Sequence, residues 1–263
     1  MTHFIRQLFH FGIQQALSCI FAVLIFATLA LSKVIDIPGL HRYDFILIIC
    51  LLIQFIMIYT KLESWDELKV ICLFHVIGLA LELYKVQMGS WSYPEEALSK
   101  LGGVPLYSGF MYASVASYIC QAWRRLELRF MHWPPDYRTY PIALFIYLNF
   151  FTHHFLPDFR WWITASLFLV FGKSYVRFTV RGEVYPIPTI LSFLLIGFFI
   201  WIAENISTFF GAWQYPDQAN TWKLVHLSKI SSWFLLVIIS IIIVANLKHL
   251  KYGAEKKLPK KAY

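Results

Sequence analysis

Two acidic residues inside apolar stretches are the side chains of this sequence best suited to chemistry. Glu82 and Glu204 each lie within a long hydrophobic segment, where a carboxyl group is costly to bury. A carboxyl group in such a place normally faces the interior of a helix bundle and marks a functional site, and a hydrogen-bonded clamp between helices is the alternative explanation. We therefore treat both as candidate catalytic residues.

The two acids belong to one motif that occurs twice, 122 residues apart. The segment ELYKVQMGSWSYPE at residues 82–95 returns as ENISTFFGAWQYPD at residues 204–217, with acid, glycine, tryptophan, tyrosine, proline and acid at matching positions. Self-similarity at a fixed offset is the signature of an internal repeat. The chain is thus predicted to be a single membrane domain over 1–263, with repeat halves at about 1–126 and 127–263.

Each motif continues from its glycine into a segment of aromatic and acidic residues. The candidate substrate-binding residues there are Trp91, Tyr93 and Glu95 in the first copy and Trp213, Tyr215 and Asp217 in the second. Aromatic residues also anchor proteins at the membrane surface, but anchoring tolerates shifts of position, so the fixed spacing favours a lid over a pocket. Gly89 and Gly211 are predicted to end their helices in the left-handed conformation.

Three further polar residues within apolar segments are candidate binding residues. His75 precedes Glu82 by seven residues and so shares nearly the same helix face, and Asn149 and His153 are related by four residues. His153 and His154 are neighbours and are predicted to point to different faces, so that one helix could not bring both to one site. Ordinary interhelical hydrogen bonding is the alternative role for these groups.

Lys85 lies one turn after Glu82, a spacing that permits an ion pair within the helix, but its counterpart in the second copy is Ser207. The sequence contains no HExxH or similar spacing, so we predict no metal site, and it identifies no cofactor. It also lacks a glycine-rich phosphate loop and a GxSxG nucleophile motif, which argues against ATP-driven chemistry in this chain.

The elements that must position these residues are apolar helices. Hydrophobic residues make up 59% of the chain and charged residues only 14%, whereas soluble domains are about a quarter charged. Eight apolar stretches are long enough to cross a hydrocarbon core about 30 Å thick. They lie at about 14–32, 44–60, 68–85, 105–125, 139–155, 161–180, 188–208 and 228–248. The predicted fold is all-α: a polytopic membrane bundle of about eight transmembrane helices, arranged as two parallel four-helix repeats.

The distribution of charge predicts the topology. With an even number of spans, both termini and every second link lie on the same side of the membrane. Most of the 23 Lys and Arg residues fall in these segments. Positive residues favour the cytoplasmic side, so both termini are predicted to be cytoplasmic and both motifs non-cytoplasmic. The net charge of +8 and the basic tail from Lys248 then indicate contact with anionic lipids rather than nucleic acid.

The segment from Glu82 to Leu126, ELYKVQMGSWSYPEEALSKLGGVPLYSGFMYASVASYICQAWRRL, carries a resemblance. It resembles the uncharacterised bacterial integral membrane proteins typified by YoaT, which implies a multi-pass protein of the bacterial cell membrane and implies no activity. A partial resemblance to the carotenoid hydratase membrane family rests on Glu82, Gly89, Tyr93 and the Gly-Val-Pro at 103–105. That resemblance implies chemistry on an isoprenoid.

Two functions follow as hypotheses. The first is a membrane-embedded enzyme acting on a lipid or isoprenoid substrate, with Glu82 or Glu204 as general acid or base. The second is a transporter or solute-binding protein in which the two glutamates bind a cation or proton. A structural partner of another membrane complex is a third possibility, and the oligomeric state stays open. The observation that would decide most is whether the two acids face one cavity or two.

Overall fold

The computed structural model describes residues 2–257, and it describes side chains as far as Ala245. The basic tail from Lys248 therefore lies outside the described side chains, and its contact with anionic lipids stays a prediction.

The first half of the chain consists of five helices and one short hairpin. In chain order these are α1 (Thr2–Ser18), α2 (Ile20–Leu31), α3 (Arg42–Tyr59), α4 (Trp65–Gln87), β1 (Lys100–Leu101), β2 (Val104–Pro105) and α5 (Ser108–Arg125). The strands β1 and β2 pair in antiparallel fashion. Helix α4 begins at a capping box, in which Ser64 accepts from the Glu67 amide and the Glu67 carboxylate accepts from the Ser64 amide.

The second half combines four helices with a small sheet. In chain order it contains β3 (Arg129–Met131), α6 (Asp136–Thr152), α7 (Arg160–Phe171), β4 (Tyr175–Val180), β5 (Glu183–Pro188), α8 (Thr189–Phe209), a 3₁₀ turn (Pro216–Gln218) and α9 (Lys229–Lys257). The strands form one antiparallel sheet in the order β3-β4-β5. Helix α4 packs along α5, and α8 packs along α9.

Several of these helices have the length and composition of membrane spans. Helices α3, α4 and α8 are long and apolar enough to cross a membrane, and α1 with α2 would add a fourth span across a bend of 63°. Helix α7 and the segment Lys229–Ala245 are apolar but shorter. The predicted helical character is confirmed, and the described residues hold three or four candidate spans by these criteria, whereas the sequence predicted eight.

The prediction of an apolar helix over 161–180 is wrong in its second half, so the mostly helical fold also contains a small sheet. Helix α7 ends at Phe171, and the chain continues as strand β4. Val176 and Val180 are buried while Arg177 is exposed, so this part alternates with the period of a strand. Arg181 and Gly182 both have positive φ, as the tight turn of a two-residue hairpin requires.

Both motif helices end in the same way. Gly89 and Gly211 have φ of +68° and +67°, which confirms the left-handed conformation predicted for them. The amide of Ser90 donates to the Lys85 carbonyl at 3.0 Å, and the amide of Ala212 donates to the Ser207 carbonyl at 2.9 Å. These bonds satisfy carbonyls that a helix end leaves free and turn the chain back along the helix.

Candidate functional site

Glu82 lies inside a cage of three hydrogen-bond donors. Its side chain is buried five residues before the end of α4, about 8 Å along the helix axis. Trp91 Nε1 and Tyr93 Oη donate to Oε2 at 2.6 and 2.7 Å, and Tyr112 Oη donates to Oε1 at 2.8 Å. Because the chain reverses at Gly89, the motif's own aromatic residues return to the acid that begins the motif.

Tyr112 reaches Glu82 because α4 and α5 approach closely. Gly78 of α4 faces the Tyr112 side chain, and a Cβ at this glycine would lie 2.4 Å from the ring. Any larger residue at position 78 would therefore push the two helices apart.

Glu204 occupies the corresponding place near the end of α8, with one difference. It is buried and accepts from Tyr215 Oη at Oε1, as Glu82 does from Tyr93. The second donor is Trp233 Nε1 of α9, 2.7 Å from Oε2, and Trp213 of the motif lines the neighbouring cavity. The structure thus gives Glu82 three donors and Glu204 two.

The two motif segments contact each other directly. The amide of Ser92 donates to the Gln214 carbonyl at 2.9 Å, and the amide of Gln214 returns a bond of the same length to Ser92. These residues occupy matching positions, 122 apart. The rings of Trp91 and Tyr215 meet edge to face at 5.9 Å between centroids. Tyr107 adds a hydrogen bond to the Ala212 carbonyl.

Glu82 and Glu204 line the same cavity, which has a volume of about 720 Å³. The other charged residues that line it are Lys85, Arg160 and Lys229, and its polar residues include Tyr112, Asn149 and His153. Most of the remaining wall is apolar and is contributed by α1, α2, α5, α8 and the sheet. The cavity therefore combines a polar group around the two acids with a long hydrophobic part.

Lys85 does not form the ion pair with Glu82 that the sequence suggested. Its buried ammonium donates to the Phe150 carbonyl at 2.8 Å and lies 3.0 Å from His154 Nε2 and 3.4 Å from His153 Nε2.

The prediction that the two histidines could not serve one site is also wrong. Helix α6 ends at Thr152, so both rings lie beyond the helix, where the 100° spacing of helical residues does not apply.

Asn149 fixes the loop that follows α6. Its Nδ2 donates to Asp158 Oδ1 at 3.0 Å, and its Oδ1 accepts from the Phe159 amide at 2.9 Å. Asp158 also pairs with Arg160 at 3.0 Å. Burial acts to raise the pKa of Asp158, but the hydrogen bonds from Asn149 and the Arg160 amide, together with the Arg160 charge, hold that pKa below its ordinary value.

Three of the candidate binding residues lie away from the cavity walls. His75 packs edge to face on Phe110 at 4.6 Å between ring centroids. Glu95 pairs with Arg42 at 2.6 Å, and Arg42 also donates to the Gly211 carbonyl, so this acid ties the two motif segments together. Asp217 is exposed in the 3₁₀ turn. Within the described residues no group of three or more His, Cys, Asp or Glu side chains could hold a metal ion.

Two of the members of the site that sequence reasoning missed lie on α9. Lys229 is its first residue, and Nζ lies 4.5 Å from the Tyr215 ring centroid and 5.5 Å from that of Trp91. Trp233 follows one turn later and donates to Glu204. The feature of the sequence that could have identified them is the one-turn spacing of Lys229 and Trp233 at the start of the last apolar stretch.

A family model described as a protein of unknown function, DUF817, matches residues 7–241. The chain belongs to the DUF817 family. The matched residues contain both motif copies, so the cavity lies within the DUF817 part of the chain. The uncharacterized protein YoaT of Bacillus subtilis (strain 168) is 62% identical to this chain over 253 residues, which are 96% of each protein. No solved structure matches.

These comparisons confirm the resemblance to YoaT and its relatives. They do not show the resemblance to carotenoid hydratases, and the DUF817 description names no activity.

Proposed function

We propose that this protein is a membrane-embedded enzyme that carries out acid–base chemistry on a lipid-soluble substrate. The observation that supports this is that Glu82 and Glu204, from two separate helices, line one cavity with largely apolar walls. A volume of about 720 Å³ lies within the range of small-molecule sites. Carboxyl groups fixed by hydrogen bonds in such surroundings are typical general acids and bases.

The two acids differ in their free hydrogen-bonding capacity. A carboxylate has about four acceptor positions, of which Glu82 uses three and Glu204 uses two. Glu204 keeps a free position on each oxygen and is our first choice for the group that exchanges a proton with the substrate. Tyr112 also lines the cavity, so its hydroxyl is placed to pass a proton between Glu82 and a ligand.

We also propose the membrane arrangement expected from the sequence: eight spans in two parallel halves, with both termini cytoplasmic. Helices α4 and α8 end 122 residues apart, at Gln87 and Phe209, and both turn at a left-handed glycine. Single-cysteine variants at Ser90, Ala219 and Lys61, made in a chain without its four native cysteines, test this; Ala219 is exposed just beyond the second motif. A membrane-impermeant thiol reagent applied to intact cells should label the first two positions, and the third only after the cells are opened.

The test of the enzyme proposal is a comparison of extracted lipids. A deletion strain should accumulate a lipid-soluble compound, and the wild-type gene should remove it while the Glu204→Gln variant does not. Glu96→Gln is the matched control, because Glu96 is exposed just beyond the first motif. Identical lipid profiles in the deletion and wild-type strains would contradict the proposal.

The alternative of cation binding by the two glutamates is less well supported. The ammonium groups of Lys85 and Lys229 line the same cavity and would repel a cation. Uptake into proteoliposomes separates the two functions. A pH-dependent flux that both Glu82→Gln and Glu204→Gln abolish would favour transport over chemistry.

A further inference from the structure

Lys229 is a cation whose hydrogen-bonding capacity is not used by any residue that the structure describes. Its partly buried side chain lines the cavity, and its ammonium rests on the faces of Tyr215 and Trp91. Glu204 is near enough for electrostatic attraction. In the part of the chain that the structure describes, however, Lys229 Nζ has neither an ion pair nor a hydrogen-bond acceptor. Ammonium groups inside membrane proteins normally have such partners.

The other charged groups of the cavity do not create the same need. Each oxygen of Glu204 accepts from Tyr215 or Trp233, and Arg160 is paired with Asp158. Lys85 is surrounded by a carbonyl and two imidazoles, which are neutral acceptors or weak bases. The unused donor capacity at the polar end of the cavity therefore belongs to Lys229. Neither Lys229 nor Lys85 has a direct carboxylate partner among the described residues, so this end of the cavity favours an anionic oxygen.

The hydrophobic part of the cavity follows one face of α5. Along α5 it is lined by Met111, Val115, Tyr118, Ala122 and, just past the helix end, Leu126, which are spaced by three or four residues and so share one face. At 1.5 Å per residue this face extends about 22 Å. One leaflet of a bilayer core is about 15 Å thick, so a full-length lipid chain fits beside α5.

We propose that the ligand of this cavity is a single-chain amphipathic molecule with an anionic oxygen headgroup, a carboxylate or a phosphate, held at Lys229. Its chain runs along α5 towards the β3-β4-β5 sheet. The inference rests on the proposed function, because it names the class of substrate for the same cavity.

The test uses four C16 compounds that differ only in headgroup: hexadecanoate, hexadecyl phosphate, hexadecanol and hexadecylamine. Binding to the purified full-length protein in detergent is followed by tryptophan fluorescence, since Trp91 and Trp233 line the cavity. A hydrogen bond between charged groups predicts that the acid or the phosphate binds at least about tenfold more tightly than the alcohol, and the amine most weakly. The stronger of the two anions identifies the headgroup.

Three variants test the role of Lys229. Lys229→Met should abolish the preference for the anion, while hexadecanol should still bind, which also shows that the cavity is intact. Lys229→Arg should keep the preference. Lys223→Met is the matched control, because Lys223 is exposed six residues earlier, and it should behave as wild type.

Two results would overturn the headgroup assignment and leave the proposed function standing: hexadecanol binding as tightly as both anions, or an anion preference that survives Lys229→Met. If none of the four compounds binds, the lipid-binding cavity itself is refuted, and this inference falls with it.

Discussion

The matched pair of tyrosines that bind the two buried acids allows a quantitative comparison. Tyr93→Phe and Tyr215→Phe each remove one hydroxyl and leave the ring in place. Glu82 would keep two donors, Trp91 and Tyr112, whereas Glu204 would keep only Trp233. A hydrogen bond to a charged group contributes about 1.5–3 kcal/mol, and the loss should fall at the lower end where other donors remain.

We therefore expect Tyr215→Phe to destabilise the protein more than Tyr93→Phe does. For a chain of this size about 1 kcal/mol lowers the midpoint of thermal unfolding by roughly 2–4 °C. The expected decreases are about 3–6 °C for Tyr93→Phe and up to about 12 °C for Tyr215→Phe, starting from the energies above.

The assay is thermal unfolding of the purified protein in detergent, followed by intrinsic tryptophan fluorescence. Tyr59→Phe is the control, since Tyr59 is 79% exposed and its loss should leave the midpoint within about 1 °C. The reasoning is refuted if Tyr93→Phe is the more damaging substitution, or if all three variants unfold together.

Two further predictions concern a helix end and a buried acid outside the cavity. Gly89→Ala should destabilise the protein by about 1 kcal/mol because an L-residue is strained at φ +68°, although its Cβ would meet no atom within 4 Å. Gly89→Asn should destabilise it less, because asparagine tolerates the left-handed conformation better. Equal unfolding midpoints for the two variants would contradict this account. Glu63, in the loop between α3 and α4, is buried, and burial raises its pKa above 4.5 against the hydrogen bonds from Ser117 and Gln54. The folded state then holds this proton more tightly than the unfolded state, so the contribution of Glu63 to stability should be fully present below about pH 4.5 and should be lost as the pH rises through the raised pKa. Glu63→Gln should flatten that dependence in unfolding midpoints measured between pH 4 and 8, and an unchanged slope would count against the assignment.

The parts of the site that the sequence predicts are those that repeat. The offset of 122 residues identified Glu82 and Glu204, and the left-handed conformations of Gly89 and Gly211 follow from their place at helix ends. The donors contributed by other helices could not be derived in this way. Tyr112 and Trp233 are not at matching positions, because position 234 rather than 233 corresponds to 112.

The fold was predictable where apolar segments are long, and less so where they are short. By hydropathy alone, residues 175–180 look like a continuation of the preceding helix. Their buried and exposed side chains alternate, however, and an Arg-Gly turn follows them, so they form a strand. Lys229 was not among the residues that the sequence predicted for the site. Its role depends on the rings of Trp91 and Tyr215, which come from two distant parts of the chain.

The reciprocal bonds between Ser92 and Gln214 involve only backbone atoms, so any pair of residues with free amides can make them. If the halves arose by duplication, an ancestor of half the length could have formed the same contact between two identical chains. After fusion, side chains could change on one half without loosening the contact. The difference between Lys85 and Ser207 then records how two equivalent sites became one asymmetric site.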